Sequence, residues 1–138
     1  MSFEEEIKNT SGTGEAAVVP EEIIKKFNWG AFLLTWIWGL GNKTYLPLII
    51  IPVSFVPFLG SIINFGLSIW FGMKGNEWAW RNKRFISEED FHSYQKLWTT
   101  IGIIWLLLMS VVGIIVAILA YNNAPAFFEL LGRVSSGR

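Results

Sequence analysis

Two charge-free stretches constrain what this chain can fold into. Thr44 to Met73 and Leu97 to Phe128 contain no Asp, Glu, Lys, Arg or His, and a basic, Trp-rich segment lies between them. An apolar run of about 18 or more residues matches the roughly 30 Å hydrocarbon core of a bilayer as a helix. A soluble chain of 15.7 kDa has no interior large enough to bury two such runs. The pattern is that of an all-α integral membrane protein. Composition agrees, with 52% hydrophobic and 16% charged residues, against about a quarter charged in soluble domains.

Residues 1–26 read as an acidic, mobile cytoplasmic tail, small and polar around Asn9 to Glu15, with a short surface helix opening after Pro20. The six Glu between Met1 and Glu22 and the lack of an apolar stretch there do not fit a signal peptide. Residues 27–43 are aromatic and apolar but too short for a comfortable crossing, which predicts an interfacial or re-entrant helix. Trp29, Trp36, Trp38, Trp78, Trp80 and Trp98 lie near the edges of apolar runs, where indoles form an aromatic belt at headgroup level.

Residues 44–73 would make a straight helix of about 45 Å at about 1.5 Å per residue, longer than the bilayer core. Pro47, Pro52 and Pro57 punctuate the first half, and Pro57 to Gly60 reads as a turn. The expected form is a bent membrane hairpin with arms near 44–56 and 60–73, the second continuing through Lys74 toward Trp80; a single kinked span is the competing form. Residues 74–96 then form a basic, aromatic cytoplasmic loop and the start of the next helix. With a hairpin, Lys25, Lys26, Lys43, Lys74, Arg81, Lys83, Arg84 and Lys96 share one side and only Arg133 and Arg138 lie opposite. The positive-inside rule then puts the N-terminus inside and the C-terminus outside a cytoplasmic membrane.

Ser87 followed by Glu88, Glu89 and Asp90 is a helix start, with an N-cap hydroxyl and acids in the first turn. Phe91, Tyr94 and Trp98 give that helix an apolar face suited to lipid or to segment 27–41. Residues 97–121 are the one clear, long transmembrane helix. Residues 122–138 are expected to form a C-terminal interfacial tail, in which Pro125 opens a short helix bearing Phe127, Phe128, Leu130 and Leu131.

The segment Phe27-Asn28-Trp29-Gly30-Ala31-Phe32, followed by Trp36 and Trp38, and the later Gly75-Asn76-Glu77-Trp78-Ala79-Trp80 resemble a group of small bacterial membrane proteins. That group carries a domain of unknown function opening with an aromatic-Asn-Trp-small-Ala-Phe segment. The resemblance covers about residues 27–105 and implies a bacterial inner-membrane protein. It carries over no reaction and no catalytic residue.

Chemical motifs are weak. Cysteine is absent, which removes disulfides, thiolate metal sites and cysteine nucleophiles together. One His, one Asp and zero net charge provide neither an acid–base pair nor a phosphate-binding surface, so no nucleic-acid partner and no enzymatic activity are expected. Gly39 to Thr44 only superficially suggests a phosphate loop, because Asn42 interrupts the Gly-Lys-Thr end and Trp36 stands where a glycine is needed. His92 has no partner at ligand spacing, and helix capping accounts for Glu88-Glu89-Asp90, so no metal or other cofactor is expected.

Three features retain functional content. Lys74, Trp78, Trp80, Arg81, Lys83 and Arg84 interleave bases with indoles, a combination suited either to anonymous topological anchoring or to anionic headgroups of the lipid bilayer. Asn64, polar within an apolar arm, is expected to seek Thr99, Thr100 or Ser110. Ser68 with Gly72, and Gly113 with Ala117, are small-residue pairs that permit close helix approach. The favoured function is a non-enzymatic component that docks a membrane-protein partner or senses the bilayer. The alternative is a homo-oligomeric pore or small transporter, disfavoured because its spans carry no charge.

Overall fold

A computed structural model describes residues 9–136, the Leu130 side chain excepted. The first eight residues of the expected tail, the Leu130 side chain and Arg138 lie outside the described residues. Among the described residues every regular element is helical. After a 3-10 turn at Gly14–Ala16 come α1 (Glu21–Ile24), α2 (Trp29–Leu34), α3 (Trp36–Gly41), a second 3-10 turn at Leu46–Ile49, α4 (Ile50–Val53), α5 (Leu59–Asn82) and α6 (Glu88–Ser135). The chain divides into two units, one ending at Ile103 and one comprising Ile104–Arg138.

The core of the first unit is aromatic. Trp38, Phe71, Trp80, Phe85 and Phe91 are buried with Ile23, Ala31, Leu34 and Ala79. Phe85 stacks on Trp80 with ring centroids 6.1 Å apart, and Phe91 meets both edge-on. Segment 27–43 is not one helix. Thr35 has φ 38°, a left-handed value that a β-branched residue adopts at a cost, and the chain changes direction there. Asn28 caps α2 by accepting the Ala31 N–H at 2.8 Å. Helix α2 then packs along α5. Close approach requires Gly72 to be glycine, because a Cβ there would overlap the Phe27 ring.

The stretch 44–73 is bent and not one straight helix. Its first arm is a 3-10 turn plus four α residues, broken by Pro47 and Pro52. Its second arm begins at Leu59 and continues past Lys74 to Asn82, so residues 74–82 are helix and only the stretch after Asn82 is loop. Ser87 caps α6 through the Asp90 N–H at 3.1 Å while Asp90 returns a carboxylate to the Ile86 N–H at 3.0 Å. This reciprocal pair satisfies two donors at the helix start.

One expectation is corrected between residues 9 and 24, where the chain is docked and not a mobile tail. The Gly12 N–H donates to the Trp80 carbonyl at 2.8 Å. Ser11 and Ile23 are fully buried. Polarity misled here because the segment spends its polar side chains on another segment's backbone instead of on water.

In the second unit α6 continues without a break, and Pro125 sits inside it instead of opening a separate helix. Its residues from Ile104 to Leu119 are all exposed and apolar nearly throughout. Its polar groups turn back on the helix: Ser110 Oγ donates to the Leu106 carbonyl at 2.8 Å and Asn123 Nδ2 to the Leu119 carbonyl at 2.7 Å.

Candidate functional site

The segments around Asn28 and Asn76 meet in a buried polar network. Asn28 Nδ2 donates to Asn76 Oδ1 at 2.6 Å and to Gln95 Oε1 at 3.0 Å. Gln95 Oε1 also accepts the Trp38 indole N–H at 2.9 Å, and Gln95 Nε2 donates to Asn42 Oδ1 at 2.7 Å. Asn76 Nδ2 reaches the Lys26 carbonyl at 2.8 Å, and Asn42 Nδ2 the Trp38 carbonyl at 2.9 Å. All four amide side chains are buried. Every buried polar group costs free energy unless paired, and this network pairs them while tying α1, α3, α5 and α6 to the α2 cap. It contains no titratable group, so it sets geometry and offers no route for a proton.

A second polar cluster latches residues 9–15. Arg84 donates to the carbonyls of Asn9 at 2.6 Å and Ser11 at 3.1 Å. Asn9 Nδ2 donates to the carbonyls of Phe85 and Ile86, and Ser11 Oγ accepts the Phe85 N–H at 2.9 Å. Arg81 adds a bond to the Glu15 carbonyl at 3.2 Å and pairs with Glu77, which also pairs with Lys74.

The structure separates the residues expected to face lipid headgroups. Trp80 is buried at 2% exposure and is a core residue, not part of a belt; Trp38 is likewise fully buried. Trp78 is half-buried against Trp70 and Phe71. Arg81 and Arg84 serve the latch, and Lys83 lies 3.6 Å over the Tyr94 ring centre while donating to the Gly41 carbonyl. Lys74 keeps its side chain about half exposed. Bases and aromatics alternate here because an aromatic core and its latch share one stretch of chain.

Asn64 takes a different partner from those expected. Its Nδ2 donates to Ser54 Oγ across the hairpin at 2.8 Å. Thr99, Thr100 and Ser110 each bond a carbonyl four residues back on their own helix, which an isolated hydroxyl in an apolar helix does at little entropic cost. Ser68 does the same to Asn64, while Gly72 receives the Phe27 ring. Gly113 meets nothing within 4 Å, and Ala117 is exposed. Tyr94 and Trp98 pack on segment 27–41, with the Tyr94 hydroxyl on the Gly41 carbonyl at 2.9 Å.

The network residues Asn42 and Gln95 were missed by sequence reasoning. Asn28 and Asn76 had a signal, an Asn inside each resembling segment. Gln95 had one too: it follows Phe91 by one helical turn, on the apolar face, where an unpartnered amide would be costly.

His92 is partly buried, and its imidazole is held below the ordinary 6.5 first by burial and then by Lys26, with Glu88 and Glu22 pulling the other way. Among the described residues no three His, Asp or Glu come together as a metal site. A shallow, open cleft is lined by Ile24, Lys25, Lys26, Phe27 and Met73. No family model, curated protein or solved structure matches this chain.

Proposed function

We propose that the chain is a non-enzymatic bacterial inner-membrane protein whose aromatic head docks a partner or senses the bilayer. The carrying observation is α6: its apolar 18-residue window has a mean hydropathy of 3.0 and none of it is buried. A helix apolar on every side either lies in a protein core or spans a membrane, and no core surrounds this one. The stretch Leu97 to Ala120, about 36 Å at about 1.5 Å per residue, suits one crossing with modest tilt.

The head supports a cytoplasmic location. Lys25, Lys26, Lys43, Lys74, Arg81, Lys83, Arg84 and Lys96 all belong to the first unit, as the positive-inside rule expects of a cytoplasmic flank. Docking is favoured over catalysis because the buried polar side chains of the head are amides, indoles and the Ser11 and Thr44 hydroxyls, with no titratable member among the described residues. Lys25, Lys26, Lys43, Lys74 and Lys96 are exposed and donate no bond to residues 9–15, which leaves them available to anionic headgroups.

Two measurements test this reading. Single cysteines introduced into the cysteine-free chain report topology: Ser136→Cys should react with an impermeant maleimide from outside, and Glu15→Cys or Ser93→Cys only after the membrane is opened. Labelling of Glu15→Cys from outside refutes the orientation. The native mass of the complex, extracted gently from a bacterial inner membrane, reports the partner. A stoichiometric second protein supports docking, and a pure homo-oligomer makes the pore the better reading.

A further inference from the structure

We propose that the α4–α5 hairpin enters the bilayer from one side and turns back without crossing it, with its apex at residues 55–58 held among the acyl chains near the bilayer centre. This rests on the membrane reading of the preceding section and assigns the hairpin an occupant: lipid hydrocarbon from a single side.

Phe91 packs on Trp80 with ring centroids 5.5 Å apart, and Gln95 and Asn76 share the Asn28 amide. Residue numbers on α5 and α6 thus run in opposite directions, and Lys96 stands near the height of Lys74. At that height one charge-free stretch ends, at Met73, and the other begins, at Leu97. From Lys74 toward the apex, α5 offers Met73 back to Leu59, a length of about 22 Å at about 1.5 Å per residue. That exceeds half of the roughly 30 Å core and falls short of the far side.

The apex has the chemistry of a segment that never meets water. Phe55, Val56, Pro57 and Phe58 form it, with Phe55 82% and Phe58 94% exposed. A hairpin that crossed completely would carry polar residues at its far turn. Backbone donors set the stronger test, since hydrocarbon tolerates irregular backbone only when its polar groups are paired. Around this turn the N–H groups of Ser54, Phe55, Val56, Leu59 and Gly60 donate to carbonyls of Ile50, Pro52, Val53, Pro57 and Val56, and the Phe58 N–H is the apex donor without a partner among the described residues. Pro57 has no donor to satisfy, and the Ser54 hydroxyl returns to the Ile50 carbonyl at 2.7 Å. Phe58 adopts φ 62°, a conformation that favours glycine. A bulky aromatic at this strained position is explained by what its exposed ring touches.

Such a hairpin adds more volume to the leaflet it enters than to the other, which gives the proposed bilayer sensing a physical element. The test uses the full chain in phosphatidylcholine–phosphatidylglycerol vesicles. Phe58→Cys carries a bimane label, with Leu108→Cys on α6 as reference, and vesicle lipids bear a nitroxide either near the headgroup or near the chain end. Phe58→Cys should be quenched more strongly by the chain-end nitroxide and should resist aqueous maleimide from both faces. Reaction from the face opposite Lys74→Cys would mean complete crossing, and reaction from the same face would mean that the hairpin lies outside the bilayer. Protection from water without quenching by either lipid would mean that protein, such as a second copy, covers the apex. Each of these three outcomes overturns the proposal. A water-accessible Leu108→Cys overturns the membrane reading as well, so the two failures are told apart.

Discussion

Replacing Gln95 by Met removes the hub of the buried network while keeping side-chain length. The Oε1 acceptor is lost to Trp38 Nε1 and Asn28 Nδ2, and the Nε2 donor is lost to Asn42 Oδ1. Asn28 keeps its 2.6 Å bond to Asn76. Trp38 Nε1 and Asn42 Oδ1 have no other partner among the described residues, and both side chains are fully buried. An orphaned buried polar group costs about 1–3 kcal/mol, so Gln95→Met should destabilise the head by roughly 2–6 kcal/mol, a large share of the roughly 5–15 kcal/mol typical of a domain. Reversible unfolding in mild detergent, followed by tryptophan emission, measures it. Trp38→Phe removes one of the two orphans in advance, so the double variant should cost about 1–2 kcal/mol less than the sum of the single variants. A Gln95→Met protein within about 0.5 kcal/mol of the parent, or strict additivity of the pair, would show that water or relaxation satisfies these groups and would refute the network's structural role.

Arg84→Gln should loosen residues 9–15, because the charge-assisted bonds to Asn9 and Ser11 disappear. With the side chain largely in solvent the effect is about 1 kcal/mol, read as roughly fivefold faster proteolytic cleavage within that segment at unchanged α6 helicity. Gly72→Ala should cost about 1–3 kcal/mol by driving a methyl into the Phe27 ring, whereas Gly113→Ala, with no atom within 4 Å, should leave the monomer's stability unchanged in the same unfolding assay. Lowering pH should weaken the head through His92. Its folded-state affinity for a proton is below that of the unfolded chain, through burial first and Lys26 second, against the pull of Glu88 and Glu22. The unfolded state therefore binds more protons in that window, so stability is complete above the ordinary 6.5 and is lost as pH falls below it toward the folded value. His92→Gln should flatten the dependence of the melting temperature between about pH 5 and about pH 7.

Much of the architecture was legible because it follows from local rules. The Ser87 cap and the Asp90 return bond need only four neighbouring residues. The break before Leu59 needs only Pro57 and the lack of a donor there. The candidate site was less legible, because alternating bases and aromatics in residues 74–84 have the same appearance whether they face lipid or wrap a core. Trp80 and Arg81 are adjacent in sequence, yet one is buried and the other reaches the Glu15 carbonyl. Asn64 illustrates the same limit: its chemistry demands a partner, but which hydroxyl comes within reach is set by how the hairpin folds back.

The sequence by itself determined the helical class, the two uncharged stretches and the places where helices begin and stop. Charge content, proline and capping side chains act over a few residues and need no partner elsewhere. Tertiary structure alone decided that residues 9–24 are docked, that Asn28, Asn76 and Gln95 share hydrogen bonds, and that Trp38 and Trp80 are core. Those outcomes depend on pairings across tens of residues, and burial of a polar group becomes favourable only once the distant donor or acceptor is in place.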